Sequence, residues 1–381
     1  MGGAYSIPDR QRRIRAPIPD LDAVVGSPIP ELLDPVPPRE TIDVLDSHQF
    51  DVSALERYLG ARMVDVRPPF LVRQFRGGQS NPTYYVEASA QRLVLRRKPP
   101  GQLLPSAHAI EREYRVMRAL EGSGVPVPKT CLLCEDPDVI GTPFFVMEYV
   151  DSHPMTDAAL PDRVPGERRE IYRSMIETLA RLHSVDWRAA GLTGYGKPDN
   201  YVARQVQRWT AQYRASETER IDAMEQLISW LPANIPDDPD AAIVHGDYRP
   251  GNLLLSPVEP RIAAVIDWEL STIGHPLVDL AHHALLFRTG PEDFGAFGDR
   301  SRPAGVPSEP EHLDTYCRLT ARTALPDWNF YIAFAMFRFA AICQGIMGRV
   351  VAGTANDPDA RGAGARARPL AERAWAVVCD L

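Results

Sequence analysis

The 381-residue chain has no uninterrupted apolar run of the roughly 20 residues that a membrane helix needs. Its most apolar stretch, 330–347, is broken by Arg338 and Gln344, so a buried core helix is expected there and no membrane span. The N-terminus lacks a continuous apolar segment of the secretory type, and no leader is expected. Cysteine is scarce. Five residues (Cys131, Cys134, Cys317, Cys343 and Cys379), odd in number and thinly spread, exclude a disulfide framework and match cytoplasmic usage. Cys131 and Cys134 form a lone C-x-x-C without a second pair, so plain burial in a strand outweighs a zinc site. Basic residues number 42 against 50 acidic ones, a net −8 that argues against wholesale nucleic-acid binding. An anionic small-molecule substrate would need a local basic pocket. The motifs G-x-x-x-x-G-K-[ST], G-x-G-x-x-G, H-E-x-x-H and G-x-S-x-G are all missing. P-loop nucleotidases, glycine-fingerprint dinucleotide enzymes, zincins and α/β-hydrolases are therefore poor first readings.

Proline, by contrast, is abundant: 36 residues, roughly twice the usual share of about 5%. Eight fall in the first 40 residues, beside Arg10, Arg12, Arg13 and Arg15, and suggest an extended arm over 1–48. A β-rich segment, 49–148, follows. Strand-type runs at 70–75, 83–88 and 93–97, the first two parted by a Gly-Gly-Gln-Ser-Asn-Pro turn, precede a helix at 109–120 and further strands near 130–134 and 144–150. From 149 to 381 the pattern turns helical, with an apolar stripe of Ile171, Met175, Leu179 and Leu182. The small-residue segment 353–368 is expected to be a loop. The expected fold is α+β: a small β-rich N-lobe on a larger, mostly helical C-lobe.

Two short apolar runs in the C-lobe each end in acidic chemistry. The first leads into His245, Gly246 and Asp247, with Asn252 five positions beyond Asp247. The second, fifteen residues after Asn252, ends at Asp267, Trp268 and Glu269. A kinase catalytic loop needs one Asp to orient and deprotonate the attacking hydroxyl. It also needs an Asn five residues on for Mg²⁺, and an Asp from the next hairpin to bridge that metal to the phosphates. Asp247, Asn252 and Asp267 meet all three demands in order. Either motif alone could be a good turn; together they point to phosphoryl transfer, with Glu269 as a further candidate metal ligand.

These motifs, H-G-D-x-x-x-x-N followed by I-D-W-E, resemble the aminoglycoside phosphotransferase and choline-kinase-like group, relatives of protein kinases. The likeness extends over roughly 50–380. The stretches 94–101, 111–117, 124–128 and 141–149, with the turn around Gly78, Ser80 and Asn81, resemble kinase domains attached to acyl-CoA dehydrogenases. The resemblance implies a two-lobed kinase-like fold that uses ATP or another nucleoside triphosphate, with Mg²⁺, on a small-molecule hydroxyl. It places Arg96 where the group has its strand cation, with Lys98 as the fallback. At about 100° per residue, Glu113 lies about 45° from the centre of the apolar stripe of its helix and Glu111 about 115°, so Glu113 is the better partner for that cation. Gly78, Ser80 and Asn81 sit where backbone N–H groups could meet phosphates. Backbone groups between Glu148 and Val150 are implied to hold the adenine. Asp279 resembles an aspartate that braces the catalytic loop, and His245 is expected to support the loop too. His282 and His283, adjacent on a helix, cannot share a face as a metal pair. For the acceptor, Arg338 and Arg349, with Phe330, Phe334 and Phe337, suggest an apolar chain with an anionic head, such as a hydroxyacyl or hydroxy-carboxylate compound. The alternatives are an aminoglycoside or amino-alcohol kinase, or a catalytically inactive nucleotide-binding regulator. Oligomeric state is not legible.

Overall fold

The computed structural model describes residues 38, 40–76, 81–89, 91–100, 109–293, 295–298, 300–355 and 357–380. Gly78 and Ser80, and residues 1–37 and 39 of the proline-rich arm, lie outside them.

The N-lobe is built on a six-stranded antiparallel sheet in the order β1-β2-β3-β4-β6-β5. Its strands are β1 (Thr41–Ile42), β2 (Phe70–Phe75), β3 (Thr83–Ala88), β4 (Gln91–Arg97), β5 (Thr130–Cys134) and β6 (Phe144–Glu148). Residues 41–42, assigned to the arm from sequence, thus form an edge strand: Thr41 pairs with Phe75 and Ile42 with Gln74. Helix α1 (Val52–Gly60), capped by Asp51 accepting from the Ala54 N–H, covers one face of the sheet. There Leu55 and Leu59 meet Tyr84, Val86, Leu93, Leu95, Phe144 and Val146 in a fully buried cluster. The period-2 alternation of β4 then sends Val94 and Arg96 to the opposite face. On that face lies α2 (Ile110–Leu120), which buries Ile110, Val116, Met117, Leu120 and also Glu113. Arg112 donates to the Tyr195 carbonyl at 2.8 Å, tying α2 to the C-lobe.

The C-lobe begins with β7 (His153–Pro154) and the helices α3 (Pro165–Ser184), α4 (Tyr201–Ser216) and α5 (Asp222–Ala233). Two small ribbons follow. One pairs β8 (Ala242–Val244) with β11 (Thr272–Gly274), and the other sets β9 (Leu253–Leu255) between β7 and β10 (Ile262–Val265). The remaining helices are α6 (Pro276–Arg288), α7 (Glu309–Leu319), α8 (Trp328–Val351), α9 (Ala360–Ala365) and α10 (Ala367–Cys379).

By length and composition α8 could cross a membrane, but 72% of its most apolar window is buried inside the fold. Its polar interruptions find partners: Arg338 Nη2 donates to the Gly246 carbonyl, although its buried Nε has no partner among the described residues, and Gln344 donates to the Ser216 carbonyl and Thr218 Oγ1. The expected loop at 353–368 instead contains α9 and the start of α10. Alanine favours helix, and a Cβ on Gly364 would lie 2.9 Å from Met347 Cα, so only glycine lets α9 rest on α8. All five cysteines are free thiols.

Candidate active site

Strand β8 ends at Val244 and delivers His245, Gly246 and Asp247 into a braced loop. Asp279, buried in the first turn of α6, accepts from the His245 N–H at 2.7 Å and the Gly246 N–H at 2.9 Å. Its Oδ2 also lies 3.3 Å from His183 Nε2. Burial alone would raise the Asp279 carboxyl; the hydrogen bond from His183, helped by His245, outweighs burial and holds it at about 2. Gly246 adopts φ +82°, and a Cβ there would meet the Leu270 carbonyl oxygen at 2.6 Å. From the other side Arg338 donates to the Gly246 carbonyl at 2.6 Å. His245 Nδ1 accepts from the Asp247 N–H at 3.2 Å, so its Nε2–H donates to the Ile266 carbonyl at 3.0 Å. One imidazole thus ties the first acidic motif to the strand that carries the second.

Each Asp247 carboxylate oxygen has a donor. Oδ1 lies 3.0 Å from His282 Nε2, and Oδ2 accepts from Asn252 Nδ2 at 2.8 Å and Arg249 Nε at 3.1 Å. Burial would raise this carboxyl. The His282 hydrogen bond, reinforced by Arg249 and His245, prevails and holds it well below the usual carboxylate range. Asn252, in the turn Pro250–Asn252, also donates to the Asp247 carbonyl at 2.9 Å. With its NH₂ spent on Asp247, the amide oxygen points the other way.

Asp267 follows β10 in the left-handed region, φ 68° and ψ 62°. Such a conformation costs a non-glycine residue about 1–3 kcal/mol and is concentrated at functional sites. The Ile266 N–H bonded to the Asn252 carbonyl at 3.0 Å fixes Asp267 beside Asn252. Arg96 reaches into this cluster from β4: Nη2 is 2.8 Å from Asp267 Oδ1 and 4.0 Å from Glu269 Oε2, and Nε is 2.9 Å from Glu113 Oε2. The last contact is off the N–H line, a charge pair more than an aligned hydrogen bond. Three carboxylates therefore share one guanidinium. Burial drives the Glu113 carboxyl up to about 7; Arg96 opposes this, while Asp267 and Glu269 add to it. Lys98 pairs with Glu111 at 3.0 Å instead, so the register assigns Arg96, not Lys98, to Glu113.

The site's oxygen-only donor set suits a hard cation: the Asn252 amide oxygen and the Asp267 and Glu269 carboxylates, with local negative charge in excess. Among the described residues no three or more His, Cys, Asp or Glu side chains form a ready metal cage. Mg²⁺ held through one or two carboxylates plus substrate phosphates needs none.

The other expected residues are placed less centrally. Asn81 is buried at 1% exposure, and neither side-chain amide atom has a partner among the described residues. Glu148 is exposed at the end of β6, 3.6 Å from Lys129, and the Val150 carbonyl accepts from Ser152 Oγ at 2.8 Å. The expected acceptor wall needs correction. Arg349 is exposed in the last turn of α8, eleven residues beyond Arg338, or about 16 Å along the axis, so the two do not converge. Arg338 is buried and spent on the catalytic loop. Phe330, Phe334 and Phe337 are core residues at 3%, 1% and 0% exposure, not a pocket lining. Arg288, at the end of α6, is bound to both oxygens of Glu309.

Sequence reasoning gave no role to Arg249 and set His282 aside with His283 as an unsuitable metal pair. A signal for His282 existed: it stands three residues after Asp279, on the same helical face. His283 turns elsewhere, with Nε2 3.0 Å from His312 Nε2.

The profile of the phosphotransferase enzyme family matches residues 71–310. Acyl-CoA dehydrogenase family member 10 of Mus musculus is 43% identical over 364 residues, which are 94% of this chain but 33% of that protein. The chain thus spans a third of that relative's length. A crystal structure of a candidate aminoglycoside phosphotransferase from Ralstonia eutropha is 46% identical, covering 87% of this chain and 99% of that one, with a TM-score of 0.81. Spectinomycin phosphotransferase, solved with ADP and spectinomycin, shares the fold at 12% identity and a TM-score of 0.57, over 87% of this chain and 98% of that one.

Proposed function

The chain belongs to the phosphotransferase enzyme family, and on that premise we propose that it transfers the γ-phosphoryl group of ATP, or of another nucleoside triphosphate, to a hydroxyl of a small molecule. The observation that carries this reading is the convergence of Asp247, Asn252 and Asp267 on one side of the cleft with the Arg96–Glu113 pair on the other.

Asp247 orients the acceptor hydroxyl and takes its proton as the bond to phosphorus forms. Its depressed basicity suits a reaction in which positioning matters more than early deprotonation, because the phosphoryl transition state is loose. Arg96, released from Asp267 and still anchored by Glu113, binds the α- and β-phosphates; a guanidinium can grip two oxygens at once. Asn252, Asp267 and Glu269 are the residues that would hold Mg²⁺, which when bound neutralises charge on the transferring phosphates. Asn81 and the preceding turn are assigned to the phosphates, and the backbone from Glu148 to Val150 to the base. His245 and Asp279 hold the loop.

For the acceptor, Arg249 supplies an exposed cation beside Asp247, with Nε 3.1 Å from Asp247 Oδ2. This cation supports a hydroxyacyl or hydroxy-carboxylate compound, as does a relative named for acyl-CoA chemistry. The description of the Ralstonia protein favours a second class, aminoglycosides. Turnover compared by kcat/KM decides: the hydroxy-carboxylate class should exceed kanamycin-type acceptors at least about tenfold. An aminoglycoside turned over as well or better would sink the acyl assignment. Thermal shift with ATP, with and without Mg²⁺, tests nucleotide use independently of the acceptor.

A further inference from the structure

Helix α6 meets the catalytic loop through two side chains one turn apart, Asp279 and His282. Asp279 holds the loop's backbone. His282 touches its reactive carboxylate, with Nε2 3.0 Å from Asp247 Oδ1. A carboxylate can only accept, so the imidazole hydrogen sits on Nε2, and Nδ1 is left buried without a partner. The ring has little freedom. Its side chain is 3% exposed, and it stacks on Phe339 at 5.1 Å between centroids with 16° between planes. Burial lowers its affinity for a proton and nearby Arg338 adds to that, against the pull of Asp247. A neutral, singly protonated ring with one donor, held rigid against the base, costs an unpaired nitrogen that an aromatic hydrocarbon at this position would not.

We infer that His282 is a positioning residue for phosphoryl transfer, its Nε2–H fixing the rotation of the Asp247 carboxylate so that an oxygen faces the incoming hydroxyl. The inference rests on the phosphotransferase reading and adds a residue to it. Asn252 and Arg249 both approach Oδ2, so His282 is the donor that fixes the other oxygen. Without it the carboxylate can rotate about its last bond, and the near-attack geometry is populated less often.

The test measures ADP formation from Mg·ATP with water, 3-hydroxybutyrate, its thioester, ethanolamine and kanamycin as acceptors, in wild type, His282→Phe and His282→Gln. Phenylalanine keeps the stacked ring and loses the donor; glutamine keeps an N–H at similar reach. His282→Phe should lower kcat about tenfold to a hundredfold, with the KM for ATP within about twofold of wild type. His282→Gln should recover to within about threefold of wild type. A folded, active His282→Phe with wild-type kcat overturns the inference and leaves the phosphotransferase reading standing. A Gln variant as slow as the Phe variant overturns it too, since packing would then explain both. Wild type that forms no ADP with any acceptor removes the reading itself and the inference with it. Imidazole ¹⁵N spectra of wild type supply a readout free of turnover. They should show the neutral Nε2–H tautomer at His282, displaced in Asp247→Asn, and the Nδ1–H tautomer would refute the geometry.

Discussion

Replacing Glu113 with glutamine should make the nucleotide-free protein more stable at pH 8 and little different at pH 5. Glu113 is 2% exposed, and its carboxyl is pushed up from 4.5 to about 7. A raised acid binds its proton more tightly in the folded state than in the unfolded one. Stability is therefore lost as pH climbs from the unfolded value near 4.5 toward 7, and the loss is complete above that. The shift spans about 2.5 pH units, and at 1.36 kcal/mol per unit the ionised carboxylate costs about 3 kcal/mol at pH 8. Glutamine mimics the protonated form and escapes the cost, while Arg96 keeps Asp267 as a partner. Urea unfolding of wild type and Glu113→Gln at pH 5, 6, 7 and 8 measures the difference. The variant should gain about 2–3 kcal/mol at pH 8 over its relative position at pH 5, and lose affinity for ATP because Arg96 is no longer anchored. A variant uniformly less stable across this range would refute the reasoning, because the pair would then be a net stabilising contact at every pH.

Asp247→Asn should leave nucleotide affinity nearly intact and lower kcat about 10²–10⁴-fold, the usual share of a positioned general base; turnover within threefold of wild type would remove it from that role. Asp267→Ala should abolish the tightening of ATP by Mg²⁺ in calorimetric titrations, since a charged oxygen ligand is deleted. Metal that still strengthens ATP binding to that variant would contradict the assignment. Gly246→Ala should cost about 2 kcal/mol or more, from the left-handed backbone and the clash with the Leu270 carbonyl. A chemical-denaturation midpoint equal to wild type would mean that the loop relaxes freely.

The strand and helix order of the N-lobe was legible because its strands alternate and α2 has one apolar face. The same phase argument separated Glu113 from Glu111, and the structure places Glu113 against Arg96. Asp247, Asn252 and Asp267 were legible from spacing, since short ribbons fix where such residues emerge. The acceptor wall was not. Composition counted Arg338 and Arg349 as equals, but an eleven-residue separation on one helix leaves one under the catalytic loop and the other in solvent. Phe330, Phe334 and Phe337 follow the same lesson, because α8 is buried on most sides and an aromatic there carries no sign of facing a pocket. His282 was passed over because adjacent histidines were weighed only as a metal pair. Its partner lies 35 residues earlier, a contact that the turn from β11 into α6 creates. Helix α9 was hidden by small residues that suit a loop as well as a close helix contact.

The most direct test of the phosphoryl-transfer site is ³¹P NMR of the protein with ATP, Mg²⁺ and a hydroxyl-bearing acceptor from the hydroxyacyl, hydroxy-carboxylate, amino-alcohol and aminoglycoside classes. A new phosphomonoester resonance should grow in step with ADP for at least one acceptor, and it should vanish in Asp247→Asn. Unchanged ATP with every class, or a phosphomonoester formed equally fast by Asp247→Asn, would contradict the assignment of this cleft.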